Sequence, residues 1–310
     1  MSETLLTMGM PVHNEEKYIA EAIESLLAQT YKDFILIISD NASTDRTQQI
    51  CEYYAKRDKR IVYVRHKENK GSMFNFRYVL EQTNTPFFMW CGGHDKWEPL
   101  FAGELLSEFK KEDIILSYPK SRLINMNGEL GRVYKDDYTT TNIDKPVDRY
   151  LYLLRSIKIG NLFYGIWSTK ALKSCNFDIK TIAGDNIILE QAAIEGKFKQ
   201  CNKILFLRRE NRKPGNHSDK IKRQFSGSYG KKQNEFLSAM AYILASIKVP
   251  LSRNYSFNIF TKIWLIINIV YYKFFGWYIM SAFKMIFKKI AGEKIYFKLK
   301  SIKDNNGFNK

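Results

Sequence analysis

Apolar and polar positions in the first 120 residues switch repeatedly between two periods. Leu5–Val12 reads as a strand, and Glu15–Gln29 then places Ile19, Ala22, Ile23, Leu26 and Leu27 at helical spacing. Phe34–Ser39 (FILIIS) is apolar at consecutive positions, as a strand covered on both faces requires. The capping-rich NASTDRT leads into a helix through about Asp58. Ile61–Arg65 predicts a third strand, Met73–Gln82 a helix, Pro86–Cys91 a fourth strand, and Leu100–Lys110 and Asp113–Ser117 continue the series. Such alternation with short loops predicts an α/β fold with a Rossmann-like, mostly parallel sheet flanked by helices. Further on, Asn127-Gly128 marks a hairpin turn between Arg122–Met126 and Leu130–Tyr134. Asp185–Gly196 predicts a helix, Lys203–Arg208 a strand, and Phe236–Lys248 a helix that Pro250 breaks. From Phe257 to Lys300 aromatic and aliphatic residues are punctuated by lysines.

Charge divides the chain differently from periodicity. The 310 residues carry 49 Lys+Arg against 32 Asp+Glu, a formal charge of +17. Residues 1–200 hold 27 basic and 27 acidic side chains, whereas residues 201–310 hold 22 and 5, so the whole excess sits in the last third. A neutral body joined to a cationic end is implied, not a uniformly nucleic-acid-binding chain. With 45% hydrophobic residues, disordered and collagen-like classes are excluded. Cys51, Cys91, Cys175 and Cys201 are widely spaced without a C-x-x-C pair, which suggests reduced thiols in a cytosolic setting. The opening MSETLLTMGMPVHNEE lacks the basic and apolar regions of a secretory signal, and no stretch of 18 uninterrupted apolar residues exists.

In doubly wound sheets ligands bind at the carboxyl ends of the strands. The polar residues there are His13, Asn14 and Glu15 beside Pro11 after the first strand, and Asp40, Asn41 and Asp45 after the second. Asn69–Gly71 follow the third strand and His94-Asp95 the fourth. Acids from separate strands on one edge exceed what a solvated surface needs. Asp45 can equally cap the following helix. Trp90 and Trp97 suit either packing or stacking against an acceptor.

The stretch MPVHNEEKYIAEAIESLLAQTYKDFILIISDNASTDRT, residues 10–47, resembles the opening of inverting glycosyltransferase family 2, which adopts the GT-A fold. Weaker ordered similarity runs to about residue 218. The resemblance implies a catalytic domain over 1–223, with a nucleotide-binding half to about 117 and an acceptor half over 118–223; it does not cover the C-terminal third, where 224–310 reads as a basic, aromatic, helical membrane-associating region. It assigns the nucleotide of a nucleoside-diphosphate donor, UDP-sugar foremost, to Pro11, His13, Glu15, Asp40, Asn69, Gly71 and Arg77, with Lys70 also near phosphate. The family's acidic metal motif for Mn²⁺ or Mg²⁺ falls on Trp90-Cys91-Gly92-Gly93-His94-Asp95, where only Asp95 survives. His94 lies where another ligand is expected, with a loop histidine bonded to backbone as its alternative, and His217 in a later Asn-His-Ser segment is a metal ligand or a diphosphate contact. An imidazole suits Mn²⁺ better than Mg²⁺. Ala183-Gly184-Asp185 resembles the family's Glu-Asp signature with Gly184 replacing the acid, so Asp185 inherits the general-base role; a helix N-cap is its structural alternative. Glu190 reads as ordinary helix surface.

In the cationic end Lys262, Lys273 and Lys284 recur every eleven residues, close to one helical face, among Ile, Leu, Phe, Trp and Tyr. That pattern predicts an amphipathic helix lying in the plane of an anionic membrane surface. Packing onto the body, insertion of Ile263–Phe283 and nucleic-acid binding compete with it; a central Lys273 opposes insertion and no nucleic-acid motif is present. The expectation is therefore a peripheral enzyme on the cytoplasmic face of the cell membrane, transferring sugar to a lipid-linked or nascent glycan in surface-polysaccharide assembly. A non-catalytic nucleotide-sugar-binding or scaffold protein is the alternative, motivated by glycines where the family has acids.

Overall fold

A computed structural model describes residues 5–110, 113–157, 160–177, 184–210, 235–252 and 254–275. Four parallel strands open it: β1 (Leu6–Val12), β2 (Phe34–Asp40), β3 (Ile61–Arg65) and β4 (Phe87–Trp90), with helices α1 (Ile19–Leu27), α2 (Thr47–Ala55) and α3 (Ser72–Glu81) between them. They are followed by β5 (Lys96–Trp97), α4 (Phe101–Glu108), β6 (Ile114–Ile124), β7 (Leu130–Val133), α5 (Pro146–Ser156) and a 3₁₀ turn (Gly160–Tyr164). Then come β8 (Ile166–Ser168), α6 (Thr169–Lys173), α7 (Gly184–Glu195) and β9 (Lys197–Arg209). The C-terminal helices are α8 (Glu235–Leu251) and α9 (Ile259–Ile269), continued by a π turn over Val270–Phe275.

The sheet runs β3-β2-β1-β4-β8-β6-β9-β5, with β7 hydrogen-bonded to β6. Its first four strands are parallel; β8 lies antiparallel between β4 and β6, and β6 pairs with β9 in parallel. Alternation along the strands builds two cores. Met8, Met10, Leu36, Ile38, Met89 and Cys91 face α1, α2 and α4, while Ile37, Phe88 and Trp90 face the opposite layer. The strand β6 unites two predicted segments, and Gly128, at φ +85°, makes the expected hairpin turn into β7. Trp90 stacks on Phe163 at 4.3 Å and Trp97 is 3% exposed, so both tryptophans are packing residues.

The C-terminal helices differ from expectation. Ile243, Val249, Tyr255, Leu265 and Ile269 are buried in the same core as Trp167 and Ile188, so to residue 275 the cationic end shares the body's core. Pro250 lies within the last turn of α8 and does not stop the helix short. Lys273 points inward to Glu190, at 2.8 Å, and not to a headgroup layer. Glu190 itself is 1% exposed, which corrects its reading as helix surface. Among the described residues no helix is long and apolar enough to cross a membrane.

Candidate functional site

Parallel register brings the ends of β1 and β2 level, Pro11 beside Ser39 and Val12 beside Asp40. The chain then turns sharply: Asn14 and Ala42 both take positive φ, 55° and 59°. Side chains tie the two turns together, Ser43 Oγ accepting from the Asn14 N–H at 3.0 Å and Asn14 Oδ1 accepting from the Thr44 N–H at 2.8 Å. Asp40 is fully buried at this junction. One carboxylate oxygen accepts from the Ser43 N–H and the other from the Tyr63 hydroxyl, each at 2.8 Å, and Arg65 Nε lies 3.7 Å away. Burial, and then the Asp40 carboxylate itself, pushes the Tyr63 hydroxyl well above its ordinary range, so it stays a proton donor to Asp40.

The third loop closes on the first two. Asn41 Nδ2 donates to Asn69 Oδ1 at 2.8 Å and to the Gly71 carbonyl at 3.0 Å, and the Lys70 N–H donates back to Asn41 Oδ1. Gly71 takes φ +87° at the start of α3, a conformation that a side chain would strain. His13 Nε2 and Asn69 Nδ2 are 3.2 Å apart. Pro11, His13, Asp40, Asn69 and Gly71 thus share one cleft edge. Arg77 stands apart on α3, its side chain half exposed and 2.6 Å from Glu81. Asp45 lies one residue before the N-cap Arg46 of α2, and its carboxylate accepts from the Thr47 N–H at 2.9 Å and the Glu16 N–H at 3.1 Å.

Beyond β4, Glu15 reaches His94, with Oε1 3.0 Å from Nδ1. Asp95 is 3% exposed and accepts from the backbone N–H of Arg209 at 2.8 Å. Burial raises its carboxyl above the usual range, while His94, the Arg209 N–H and Arg208 oppose the rise. A β-carbon placed on Gly92 would lie 2.6 Å from Asp95 Oδ2, so the Asp95 carboxylate occupies the space of the side chain this loop lacks. Arg209 locks the corner: its guanidinium donates to the His94 carbonyl at 2.8 Å and to Glu21, and lies 4.5 Å from the Tyr18 ring. Among the described residues no three acidic, histidine or cysteine side chains converge on a metal position. Those residues do not by themselves fit a divalent ion, and His217, the third expected ligand, lies outside them.

Asp185 occupies the first turn of α7. Its carboxyl packs against Gly160, where a β-carbon would come within 2.8 Å of Oδ2. Burial raises the Asp185 carboxyl, opposed by the N–H groups of Asn186 and Asp185 and by Arg208. Arg208 therefore pulls on both Asp95 and Asp185, and its Nη1 donates to Asn161 Oδ1 at 2.7 Å. Beside Asn161 lies a shallow surface depression lined by Tyr118, Ser121, Tyr134, Asp136 and Gln200 among others. Strand-end patterning singled out Asn41 but not Tyr63, Asn161 or these tyrosines.

A parallel half carrying acids at its strand ends, joined through β8 to a mixed half that holds a half-buried acid on a helix, is the GT-A glycosyltransferase architecture. The crystal structure of residues 1–349 of Staphylococcus aureus TarS in complex with UDP-GlcNAc superimposes with a TM-score of 0.62 at 18% identity, covering 87% of this chain and 72% of that one. Residues 7–173, more than half of the chain, match the model of glycosyl transferase family 2, and the chain belongs to that family. The Streptococcus pneumoniae glycosyltransferase GlyG is 42% identical over 71 residues, 23% of each protein. The teichoic acid poly(glycerol phosphate) polymerase of Staphylococcus epidermidis is 30% identical over 113 residues, 36% of this chain and 16% of that protein. The matched stretches thus span a quarter or less of these two relatives' own length.

Proposed function

We propose that the chain is an inverting glycosyltransferase that moves a sugar from a nucleoside-diphosphate donor, UDP-sugar foremost, to a glycan or lipid-linked acceptor, with Asp185 as general base. The observation that carries this reading is the position of Asp185. Its carboxyl, held by burial above the usual range, packs against Gly160 and feels the same Arg208 that pulls on Asp95 beyond β4. A carboxylate so placed takes the proton of an acceptor hydroxyl as that oxygen bonds to the anomeric carbon. The anomeric carbon–oxygen bond to the diphosphate breaks as the new bond forms, and the nucleoside diphosphate leaves with the electron pair, so configuration inverts. Arg208, close enough to lower both Asp95 and Asp185, supplies positive charge to the departing diphosphate. In this reading Asp40 and Asn69 frame the base and ribose, with Pro11, His13 and Glu15 alongside. On the same reading the acceptor approaches beside Asn161, where Tyr134, Asp136 and Gln200 line a shallow depression.

The setting follows from α9. Phe260 is 80% exposed, and Ile263, Trp264, Ile267 and Tyr271 continue its face at helical spacing while Leu265 and Ile269 bury the other. The sequence that follows, residues 276–310, carries eight lysines and two acids. An apolar face joined to that excess charge suits an anionic membrane surface on the cytoplasmic side, the compartment in which four unpaired cysteines stay reduced. Incubating the full chain with UDP-sugars and glycan acceptors, and reading the anomeric configuration of the product by NMR, tests the reaction. A product that keeps the donor's configuration overturns inversion. UDP binding without transfer from any donor favours the non-catalytic reading.

A further inference from the structure

The ammonium of Lys273 uses all three of its protons inside the protein. It donates to Glu190 Oε1 and Oε2 at 2.8 and 3.0 Å and to Ser246 Oγ at 2.6 Å, and it lies 3.8 Å from the centroid of the Tyr242 ring. The Lys273 side chain is 6% exposed, Glu190 1% and Ser246 0%. Ser246 passes the bond on to the Tyr242 carbonyl at 2.9 Å. The Tyr242 hydroxyl also lies close to the side chain of Asn186, which opposes the burial that raises it. Asn186 and Glu190 are four residues apart on α7, so they stand on one face of that helix. Elements beyond residue 235 hold this face of α7 at Glu190 and lie beside it at Asn186. A buried ion pair on one face of a helix fixes its rotation about the axis as well as its height. Asp185 is the immediate neighbour of Asn186.

We infer that Lys273 and Glu190 are positioning residues for Asp185: their buried ion pair, with Ser246 and Tyr242, sets the rotation of α7 and so the aim of its first-turn carboxyl into the cleft. This inference rests on the reading of Asp185 as the general base. No surface role explains the pair, because neither group reaches solvent, and a buried pair is weak evidence of stability for its own sake. The coupling also gives the C-terminal helices a purpose in the site. Lys273 lies four residues past the end of α9, whose outer face is apolar, so whatever seats α9 also seats the helix of the base.

The experiment compares full-length wild type with Lys273→Met, Glu190→Gln and the charge-keeping Lys273→Arg. It reads amide hydrogen exchange by segment, UDP affinity by calorimetry, and UDP release from a panel of UDP-GlcNAc, UDP-glucose and UDP-galactose. The expected result is at least tenfold faster exchange across residues 185–194 in the Met and Gln variants, with residues 6–12 and 34–40 as protected as in wild type. UDP affinity stays within twofold, UDP release falls at least tenfold, and Lys273→Arg keeps most of both. Unchanged exchange in α7 overturns the inference. So does exchange that rises equally in β1 and β2 with loss of UDP binding, which marks a general stability role. Should Asp185→Asn release UDP as fast as wild type, or wild type release none, the base assignment fails on its own. The exchange pattern then still decides whether the pair sets α7.

Discussion

Restoring the acid that this loop lacks, by Gly92→Asp, is a sharp test of how the Asp95 corner is built. The β-carbon alone would sit 2.6 Å from Asp95 Oδ2, and Asp95 cannot swing freely because Oδ1 holds the Arg209 N–H at 2.8 Å. Overpacking of this kind costs about 1–3 kcal/mol. A second carboxylate about 4 Å from the first adds roughly 4 kcal/mol at an effective dielectric near 20. Together they remove about 5 kcal/mol or more, which at about 2 °C per kcal/mol for a chain of this size lowers Tm by about 10 °C. The pH dependence has a definite sign. Asp95 already has a raised folded-state carboxyl, so the native state favours its proton at low pH and loses that advantage as pH rises through the folded value. A neighbouring carboxylate raises it further, so the drop in Tm is largest near pH 8 and shrinks toward pH 5. Thermal unfolding of Gly92→Asp and wild type across that range reads it directly. An unchanged Tm at pH 8 would show that Asp95 is free to move aside and that the glycine is not holding its place.

Three further outcomes follow from particular contacts. Tyr63→Phe removes one of the two short donors to the buried Asp40 carboxylate, so it should cost about 1–3 kcal/mol in chemical denaturation and weaken UDP binding; unchanged affinity would separate Asp40 from the nucleotide. Phe260→Glu with Trp264→Glu removes two exposed anchors, each worth about 1.5–3 kcal/mol if buried in lipid, so flotation with phosphatidylglycerol vesicles should fall at least a hundredfold at unchanged Tm. Removing residues 276–310 should leave a folded body, whereas removing 251–310 strips Leu265, Ile269 and Lys273 from the core and should give an insoluble chain; a soluble, UDP-binding 1–250 fragment would contradict the shared core.

How far the chain's own pattern reached can be judged residue by residue. FILIIS announced a strand covered on both faces, and Ile37 indeed packs opposite Leu36 and Ile38. Strand ends placed Pro11, His13, Asp40 and Asn69 together because parallel register leaves them little choice. The three-residue β8 was too short to show periodicity, and it owes its place to Trp167 packing against its neighbours in the core. Glu190 was misread although a signal existed. Ile187, Ile188, Leu189, Ala192, Ala193 and Ile194 make α7 apolar all round, and a helix of that kind is covered on every side, so a lone acid within it must find a buried partner. Which partner could not be read locally, since Lys273 is 83 residues away. The same distance problem hid the link between Asp95 and Arg209 and the pull of Arg208 on both acids.

The central claim is that Asp185 takes the acceptor's proton. It is tested most directly by steady-state sugar transfer in wild type and Asp185→Asn as a function of pH, with UDP affinity measured in parallel. The amide keeps the size of the side chain but cannot accept the proton, so kcat should fall by about 10²–10⁴-fold while UDP binds as before. In wild type, kcat should drop as pH falls through the raised carboxyl of Asp185, above the ordinary carboxylate range, and that limb should vanish in the variant. An Asp185→Asn chain that transfers sugar as fast as wild type would contradict the account.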